Sequence, residues 1–411
     1  MAFKVGSETV IDSDGVVFKH FYKNSGTIAS TEVDIDQGLA GSGDRYGETV
    51  AVSDGHILIR GVDEVLITDL KGNEVWDGIG SGNQKGAAIG NGLVITGDVA
   101  ANSNDGQAYL YSYDGYAITT INGRTDRSTN QEFGHTIGIG SGRAVIGSNE
   151  SSLPELDFYK IYNHPTDTGK LYLSHLKRIS LDTNFEYARE NDNISINCGR
   201  VLVGRPVDSS DGAGSFLGKV DVFDLNGNEI LKLRGSTVTG NASEGSKYGT
   251  SVSVGDGLIV VGAPGKVSTN NDTDGQVFVH DLNGNEKYIL VPSDGTEDDR
   301  FGSSVAIGNG VIAVGSPQHN TSGFDIGSLD GAVYLYDYEG NLKEKISNPG
   351  PSNAQFGSSV AIGCNRLVVG AAARDRPGSG EAGGAYVYKL DERLDDHYNA
   401  ILHAYGAEDS V

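Results

Sequence analysis

The amino-acid sequence predicts an all-β fold, a seven-bladed β-propeller of four-stranded antiparallel blades closed by an N-terminal strand. Three observations carry this prediction. Glycine accounts for 60 of the 411 residues and proline for only 9. The glycines separate short runs rich in valine, isoleucine and tyrosine, which is typical of many short strands joined by tight turns. An aromatic–glycine pair also recurs about every 50 residues, a period typical of propeller blades.

Five copies of the repeat begin with an aromatic residue followed by glycine. They are DRYGETVAV from Asp44, QEFGHTIGI from Gln131, SKYGTSVSV from Ser246, DRFGSSVAI from Asp299 and AQFGSSVAI from Ala354. Two degenerate copies complete the series, QKGAAIG from Gln84 and EYARENDNISI from Glu186. The sequence therefore predicts seven blades, anchored at Gly47, Gly86, Gly134, Ala188, Gly249, Gly302 and Gly357.

Each copy contains four predicted strands. In the clearest copy these are FGSSVAIG, GVIAVGSP, GAVYLYDYEG and NLKEKI, within residues 301–346. Small residues alternate with apolar ones in the first strand, which suits an inner strand beside a central channel. The second strand is a nearly continuous apolar run, as expected for burial on both faces. Gly-Asn-Gly at 308–310 and Asn-Gly at 283–284 supply the tight turns.

The last copy has no fourth strand after GGAYVYKL. Because a ring of blades must close and a bare sheet edge is unfavourable, we expect the missing strand to come from the N-terminal part of the chain. The segment TIASTEVDID at 27–36 is the first candidate and VVFKHFY at 16–22 the second. The predicted organisation is an N-terminal arm at 1–26, the propeller at 27–390 and a C-terminal tail at 391–411.

The recurring FG…VAIG…VVGAP…G.VYVYD pattern resembles FG-GAP repeats, known from the propellers of integrin α-chains and from bacterial and viral surface proteins. The resemblance covers roughly residues 44–390 and is closest in GLIVVGAPG at 257–265 with DGQVFVHD at 274–281. Integrin-type repeats carry a calcium loop between the first two strands. Here that connection is a turn too short to give calcium six to eight oxygens, so no calcium is expected at the family position.

The opening, AFKVGSETVIDSDG, resembles the N-terminal segment of some bacteriophage structural and fibre proteins. The resemblance implies an arm that docks to other virion proteins, with Phe3, Val5, Val10 and Ile11 as candidate docking residues. The alternative is an ordinary N-terminal hairpin that turns at residues 12–15.

Composition and motifs limit the classes of function that we expect of this protein. The formal net charge of −24 argues against a nucleic-acid partner. No apolar run reaches the 18 to 20 residues, roughly, of a membrane span, so membrane insertion is not expected. The N-terminus lacks the pattern of a signal peptide. Neither a GxSxG nor an HExxH nor a Walker A motif occurs, so we expect a protein that is not an enzyme.

Two further groups of side chains are candidates for a chemical or binding role. Cys198 and Cys364 occupy equivalent places in two repeats and are predicted to be small buried thiols. Arg189, Glu190 and Asp192 replace small residues in a predicted inner strand. They either line the channel mouth and bind a sugar or cation, or are a polar variation in a degenerate blade, which the sequence favours.

The long connections between second and third strands are the predicted binding surface, because loops on a rigid scaffold commonly carry recognition. The candidate contact residues are Asn104, Asp105, Asp208, Asp211, Asn271, Asp272, His319, Asp325, Asp330, Arg374 and Arg376. Asn270, Asp272 and Asp274 are candidate ligands for one calcium ion, although no glutamate follows at the usual distance. No other cofactor is expected.

Together these features predict a phage virion protein of the tail, baseplate or fibre. Its loops would contact a host-surface glycan or receptor, or another virion protein. Two alternatives remain open at this stage: a polysaccharide-degrading tailspike, and a bacterial surface adhesin located outside the cell.

Overall fold

The computed structural model describes sixteen segments of the chain. These are residues 3–5, 8–11, 28–35, 44–78, 84–101, 105–123, 131–148, 154–163, 171–181, 194–206, 217–235, 245–265, 275–295, 298–319, 329–374 and 382–390. Within them lie seven antiparallel sheets of four strands each, arranged as a ring. The predicted all-β, seven-bladed propeller is therefore confirmed.

Strands are numbered in chain order, and the first strand of each blade is the innermost. Blades one and two contain β4 (Thr49–Ser53), β5 (His56–Arg60), β6 (Val65–Asp69), β7 (Glu74–Gly78), β8 (Gln84–Gly90), β9 (Leu93–Asp98), β10 (Gln107–Tyr111) and β11 (Ala117–Asn122). Blades three and four contain β12 (Thr136–Gly140), β13 (Arg143–Ser148), β14 (Glu155–Asn163), β15 (Leu171–Ser180), β16 (Ile194–Asn197), β17 (Arg200–Arg205), β18 (Lys219–Phe223) and β19 (Glu229–Leu233).

The remaining blades follow the same plan. Blades five and six contain β20 (Ser251–Gly255), β21 (Leu258–Ala263), β22 (Gln276–Asp281), β23 (Glu286–Leu290), β24 (Ser304–Gly308), β25 (Val311–Ser316), β26 (Ala332–Tyr336) and β27 (Leu342–Ser347). Blade seven contains β28 (Phe356–Gly363), β29 (Arg366–Ala371), β30 (Ala385–Leu390) and β3 (Ile28–Ile35). A separate hairpin is formed by β1 (Phe3–Val5) and β2 (Glu8–Ile11).

The fourth strand of blade seven is β3, which lies within the segment proposed for this place from the sequence. It pairs antiparallel with β30, so that Asp34 lies opposite Tyr386 and Ile35 opposite Ala385. Ile35 is buried and belongs to the same apolar cluster as Ala385 and Val387. In this arrangement the first and last parts of the propeller sequence share one sheet, which covers the edge that β30 would otherwise expose.

The core is divided into apolar layers between neighbouring blades. Between blades five and six, for example, Val260 and Val279 pack with Val314 and Tyr334. Every residue of β21 is buried, as its continuous apolar sequence predicts. The inner strands of successive blades contact one another around the channel, and β28 contacts β4 to complete the circle.

In five blades the aromatic–glycine pair joins the blade to the preceding one. Phe301, at the start of blade six, forms a parallel β-bridge with Gly275 of blade five. A Cβ atom placed on Gly262 would lie only 2.0 Å from the carbonyl oxygen of Gly302. The backbones therefore approach too closely for a side chain on Gly262, while Gly302 itself has a φ angle of +88°, which favours glycine. The same bridge joins Tyr46 to Gly383, Phe133 to Gly106, Tyr248 to Gly218 and Phe356 to Gly331.

Blade two departs from the predicted anchor. Ala87 pairs with Thr96 as Val50 pairs with Ile59 in blade one. Gly86 therefore occupies the position of the residue two places after the anchor glycine. The sequence alignment was wrong at this copy because it matched a glycine inside the degenerate strand to the anchor position.

Arg60 occupies, in blade one, the place that glycine takes in the second strands of blades five and six. Its guanidinium is buried and donates from Nε to Thr49 Oγ1 at 3.2 Å and from Nη2 to Glu48 Oε2 at 3.1 Å. In blade one, a buried arginine paired with the partly buried Glu48 thus stands where other blades have a glycine in contact with the next blade.

The prediction that both cysteines are buried is wrong. Cys198 is partly buried and Cys364 is exposed. Both lie in the turn between the first two strands of their blades and have φ angles of +49°. Short turns at the end of a blade lie at the surface, so the small size of a thiol does not imply burial there. Arg189, Glu190, Asp192 and the tail at 391–411 lie outside the described residues.

Candidate binding rim

One edge of the ring carries all the connections between second and third strands, because the second strands of all blades run in the same direction. We call this edge the loop rim. In three blades a backbone hydrogen bond closes the base of the connection. The acceptors are the carbonyls of Ala101, His319 and Arg374, each three residues past the end of a second strand. The donors are the N–H groups of Gly106 at 3.1 Å, Gly331 at 3.0 Å and Gly383 at 3.1 Å.

His319 lies at one of these closure points and has two side-chain partners. Its Nδ1 lies 2.7 Å from Asp299 Oδ2, and its Nε2 lies 2.8 Å from Lys345 Nζ. Both the imidazole and Asp299 are buried. Lys345 also donates to Asp294 Oδ2 at 2.5 Å. Because an ammonium group can only donate, Nε2 must accept, so the geometry requires a neutral imidazole protonated at Nδ1.

Tyr334 supports the same group from β26. Its hydroxyl donates to Asp294 Oδ1 at 2.8 Å, and the ammonium of Lys345 lies 5.4 Å from the centre of its ring. The bond from Lys345 lowers the pKa of Asp294, against the opposing effect of partial burial. Burial and the bond to Asp294 raise the pKa of Tyr334 far above its ordinary value.

Arg374 occupies the equivalent place in blade seven. Its guanidinium forms a bidentate pair with the carboxylate of Asp34 on β3, at 2.5 Å and 2.9 Å. The guanidinium carbon lies 5.1 Å from the centre of the Tyr386 ring. Asp34 pairs with Tyr386 across the sheet as Lys345 pairs with Tyr334. Blades six and seven thus hold a charged pair over a tyrosine at the same position.

The two other described candidates tie the loops to the next blade. Asp330 is buried, and its Oδ1 accepts from the N–H of Asn353 at 3.1 Å. Its carbonyl accepts from the N–H of Phe356 at 3.0 Å. The carbonyl of Asp105 likewise accepts from the N–H of Phe133 at 3.1 Å.

The structure therefore places the described candidates mainly beneath the rim. His319, Asp330 and Arg374 are only 4%, 6% and 9% exposed, so they present little surface to a ligand. Their geometry suits anchoring of the loops. Sequence analysis missed their partners Asp299, Lys345 and Asp34. A positional signal marks two of the anchors themselves, since His319 and Arg374 each follow the end of a second strand by three residues.

The other predicted site residues are untested. Asn104, Asp208, Asp211, Asp325 and Arg376 lie outside the described residues, as do the candidate calcium ligands Asn270, Asp272 and Asp274 and the neighbouring Asn271. Phe3, Val5, Val10 and Ile11 lie in the β1–β2 hairpin, in which Phe3 pairs with Ile11 and Val5 with Glu8. Their roles stay predictions.

On the opposite edge, the connections among the described residues are short, hydrogen-bonded turns. Asp281 Oδ1 accepts from the N–H groups of Asn283 and Asn285, both at 2.9 Å, and Oδ2 accepts from Asn285 Nδ2 at 2.8 Å. The side-chain bond from Asn285 is the main cause of the lowered pKa of Asp281. The same turn is built on Asp69, Asp224 and Asp337. These hydrogen bonds give the connection between the third and fourth strands the same form in four blades.

Within the described segments, no three histidine, cysteine, aspartate or glutamate side chains are placed to hold a metal ion. No helix in the same segments is long and apolar enough to cross a membrane.

Comparisons with known proteins agree with the architecture. Residues 285–336 and 346–388 match the family model of the FG-GAP repeat. These stretches span the fourth strand of blade five through the third strand of blade six, and then most of blade seven. The fold and these matches together define the class of the protein: a β-propeller that contains FG-GAP repeats.

Among solved structures, the chain is similar to BamB from Moraxella catarrhalis. The two share 12% sequence identity with a TM-score of 0.47, over 89% of this chain and 98% of that chain. No curated protein matches the sequence significantly.

Proposed function

We propose that this protein is a non-enzymatic attachment protein whose loop rim binds a partner on a host surface or on a virion. The observation that carries the proposal is the asymmetry of the ring. On one edge, the connections that the structure describes are tight, hydrogen-bonded turns. On the loop rim, blades two, six and seven carry longer connections whose bases are closed by backbone bonds, with buried polar anchors at His319 and Arg374. A rigid scaffold that presents variable loops on one side is suited to recognition.

The finer part of the proposal is a place in a phage particle. It rests on the resemblance of residues 2–15 to phage structural proteins. Part of that segment forms the β1–β2 hairpin, a two-stranded sheet separate from the blades, whose strands end at Val5 and begin again at Glu8 rather than turning at residues 12–15. In this proposal the arm at 1–26 docks to other virion proteins while the rim faces outward to a glycan or receptor.

Binding and docking can be tested separately. In a first variant, residues 266–274 and 320–328 on the rim are replaced by Gly-Ser sequences of equal length. We expect it to keep its unfolding temperature and to lose binding to intact host cells or purified envelope polysaccharide. A matched control replaces Asn283 and Glu339 on the opposite edge with serine and should bind as the parent protein does. Equal binding by the rim variant and the parent would contradict the proposal.

A second variant lacks residues 2–26 but keeps β3. We expect it to bind host surfaces normally and to be absent from assembled particles, as judged by labelling of intact virions in electron micrographs. Release of oligosaccharide from the polysaccharide by the parent protein would instead support a degrading tailspike. Labelling of the bacterial envelope without particles would support a surface adhesin.

We also propose that Asn270, Asp272 and Asp274 are ligands of a calcium ion. Titration calorimetry with CaCl₂ should give a binding signal for the parent protein that Asp272→Asn with Asp274→Asn removes. An unchanged signal in the variant would place the calcium ion elsewhere, and no signal from the parent protein would contradict calcium binding.

A further inference from the structure

The Asp294–Lys345–His319–Asp299 group is a continuous chain of hydrogen bonds between the edge of blade six and the segment that enters it. We call it the blade-six clasp. Asp294 lies after β23, Asp299 before β24, His319 after β25 and Lys345 on β27. The bonds measure 2.5 Å, 2.8 Å and 2.7 Å along the chain from Asp294 to Asp299. The clasp therefore joins four parts of the chain at one closure point.

The central bond of the clasp depends on the protonation of one imidazole. While His319 is neutral, Nε2 offers a lone pair to Lys345 and Nδ1–H donates to Asp299. A protonated imidazole donates from both nitrogens. Asp299 can still accept, but Nε2–H would then face an ammonium group, which has no lone pair, at 2.8 Å. The bond to Lys345 cannot survive, and two like charges are left in its place.

The remaining partners of Lys345 and His319 determine which bonds of the clasp persist after protonation. Lys345 retains Asp294 and the Tyr334 ring, while His319 retains Asp299. Protonation thus separates the clasp at its middle, with each cation still holding one carboxylate. Histidine is the side chain whose charge ordinarily changes between about pH 8 and pH 5.

We propose that the blade-six clasp is an acid-sensitive anchor of the loop rim, which opens between His319 and Lys345 when His319 is protonated. The consequence reaches the backbone because the carbonyl of His319 accepts the N–H of Gly331, the bond that closes the base of this connection. Mild acid would weaken the closure in blade six. The inference does not depend on what the rim binds.

Blade seven provides an internal control. There the same closure bond runs from the N–H of Gly383 to the carbonyl of Arg374, whose side chain faces a carboxylate and does not titrate in this range. Both glycines also form the parallel bridge to the following blade. The two amides therefore differ chiefly in whether their anchor is a histidine beside a lysine or an arginine beside an aspartate.

The test is hydrogen exchange of the Gly331 and Gly383 amides in the full-length protein from pH 8 to pH 5, each corrected for its intrinsic rate. We expect the protection of Gly331 relative to Gly383 to fall about tenfold on acidification, the effect of losing one buried hydrogen bond. Lys345→Met removes the opposing cation and His319→Gln removes the titrating group, so each variant should abolish the fall.

A constant ratio of protection in the parent protein across this range would overturn the proposal, and the parent protein alone suffices for that result. A fall of unchanged size in a folded Lys345→Met variant would also overturn it, because the cause would then lie elsewhere than in the bond between the imidazole and Lys345.

Discussion

Arg374 and Asp34 form a bidentate ion pair although 340 positions separate them in the sequence. Asp34 lies on β3 and Arg374 follows β29, so the pair joins the first and last parts of the propeller. It also covers one face of Tyr386, which lies opposite Asp34 in the sheet. The ring is therefore fastened at this point by main-chain pairing, by apolar packing and by charge.

Asp34→Ala should destabilise the protein by about 1–2 kcal/mol, because a nearly buried guanidinium loses a bidentate partner while the carboxylate itself is half-exposed. The free energy of unfolding in urea measures the effect. The matched control is Glu229→Ala, which removes an exposed pair with Lys232 and should change stability by less than about 0.5 kcal/mol. Equal changes in the free energy of unfolding would mean that the pair between Asp34 and Arg374 stabilises the protein no more than an exposed ion pair does.

Gly262→Ala should cost about 3 kcal/mol or prevent folding, because its Cβ would lie 2.0 Å from a backbone oxygen of the next blade. Gly257→Ala is the comparison. That glycine has φ of +83° but open space around the added atom, so only the cost of about 1 kcal/mol for a left-handed alanine is expected. Thermal unfolding of the two variants should rank them in this order. A Gly262→Ala protein as stable as the parent would show that the blades do not approach as described.

The turn at Asp281 should stabilise the fold in a pH-dependent manner. Its folded-state pKa is lowered, chiefly by the bond from Asn285. The stabilisation is therefore complete above the pKa of an unfolded aspartate, about 3.9, and is lost as pH falls through the lower folded value. Asp281→Asn should be less stable than the parent at pH 7, and the difference in unfolding temperature should shrink below pH 4. A difference that stays constant from pH 7 to pH 2.5 would contradict this assignment.

His280 should make stability depend on pH in a second, milder range. It is buried, its Nε2 lies 2.9 Å from the Tyr248 hydroxyl, and burial lowers its pKa. The unfolded chain then takes up a proton near pH 6.5 that the folded protein takes up only at lower pH, so stability falls with acidification through this window. Urea unfolding at pH 7.5 and pH 5.5 should show a smaller loss for His280→Gln than for the parent. An equal loss would exclude His280 as a source of the acid sensitivity.

The sequence was sufficient to predict the architecture because most blades carry the same local sequence patterns. Alternation in the inner strand, the apolar run in β21 and the Asn-Gly turns all indicate the same unit, and the close approach of Gly262 to Gly302 explains the glycines that made the repeat visible. Local pattern could not correct the blade-two anchor, because this copy has no aromatic–glycine pair, and the true register is visible in the strand pairing.

The candidate site was less predictable for a different reason. His319 and Arg374 are polar residues in long connections, which usually indicates exposure. Their partners Asp299, Lys345 and Asp34 come from other strands or connections, and no local pattern links them. Burial by distant charged partners can be inferred only once the blades are placed around the ring.

The retention of the N-terminal segment after cleavage tests the closed ring most directly. A protease site inserted within residues 36–43, between β3 and β4, allows the chain to be cut while the protein stays folded. If β3 is the fourth strand of blade seven, the fragment ending there should co-elute with the propeller in size-exclusion chromatography and separate only when the protein unfolds. A fragment that dissociates under native conditions while the rest remains folded would contradict the closure on which this account depends.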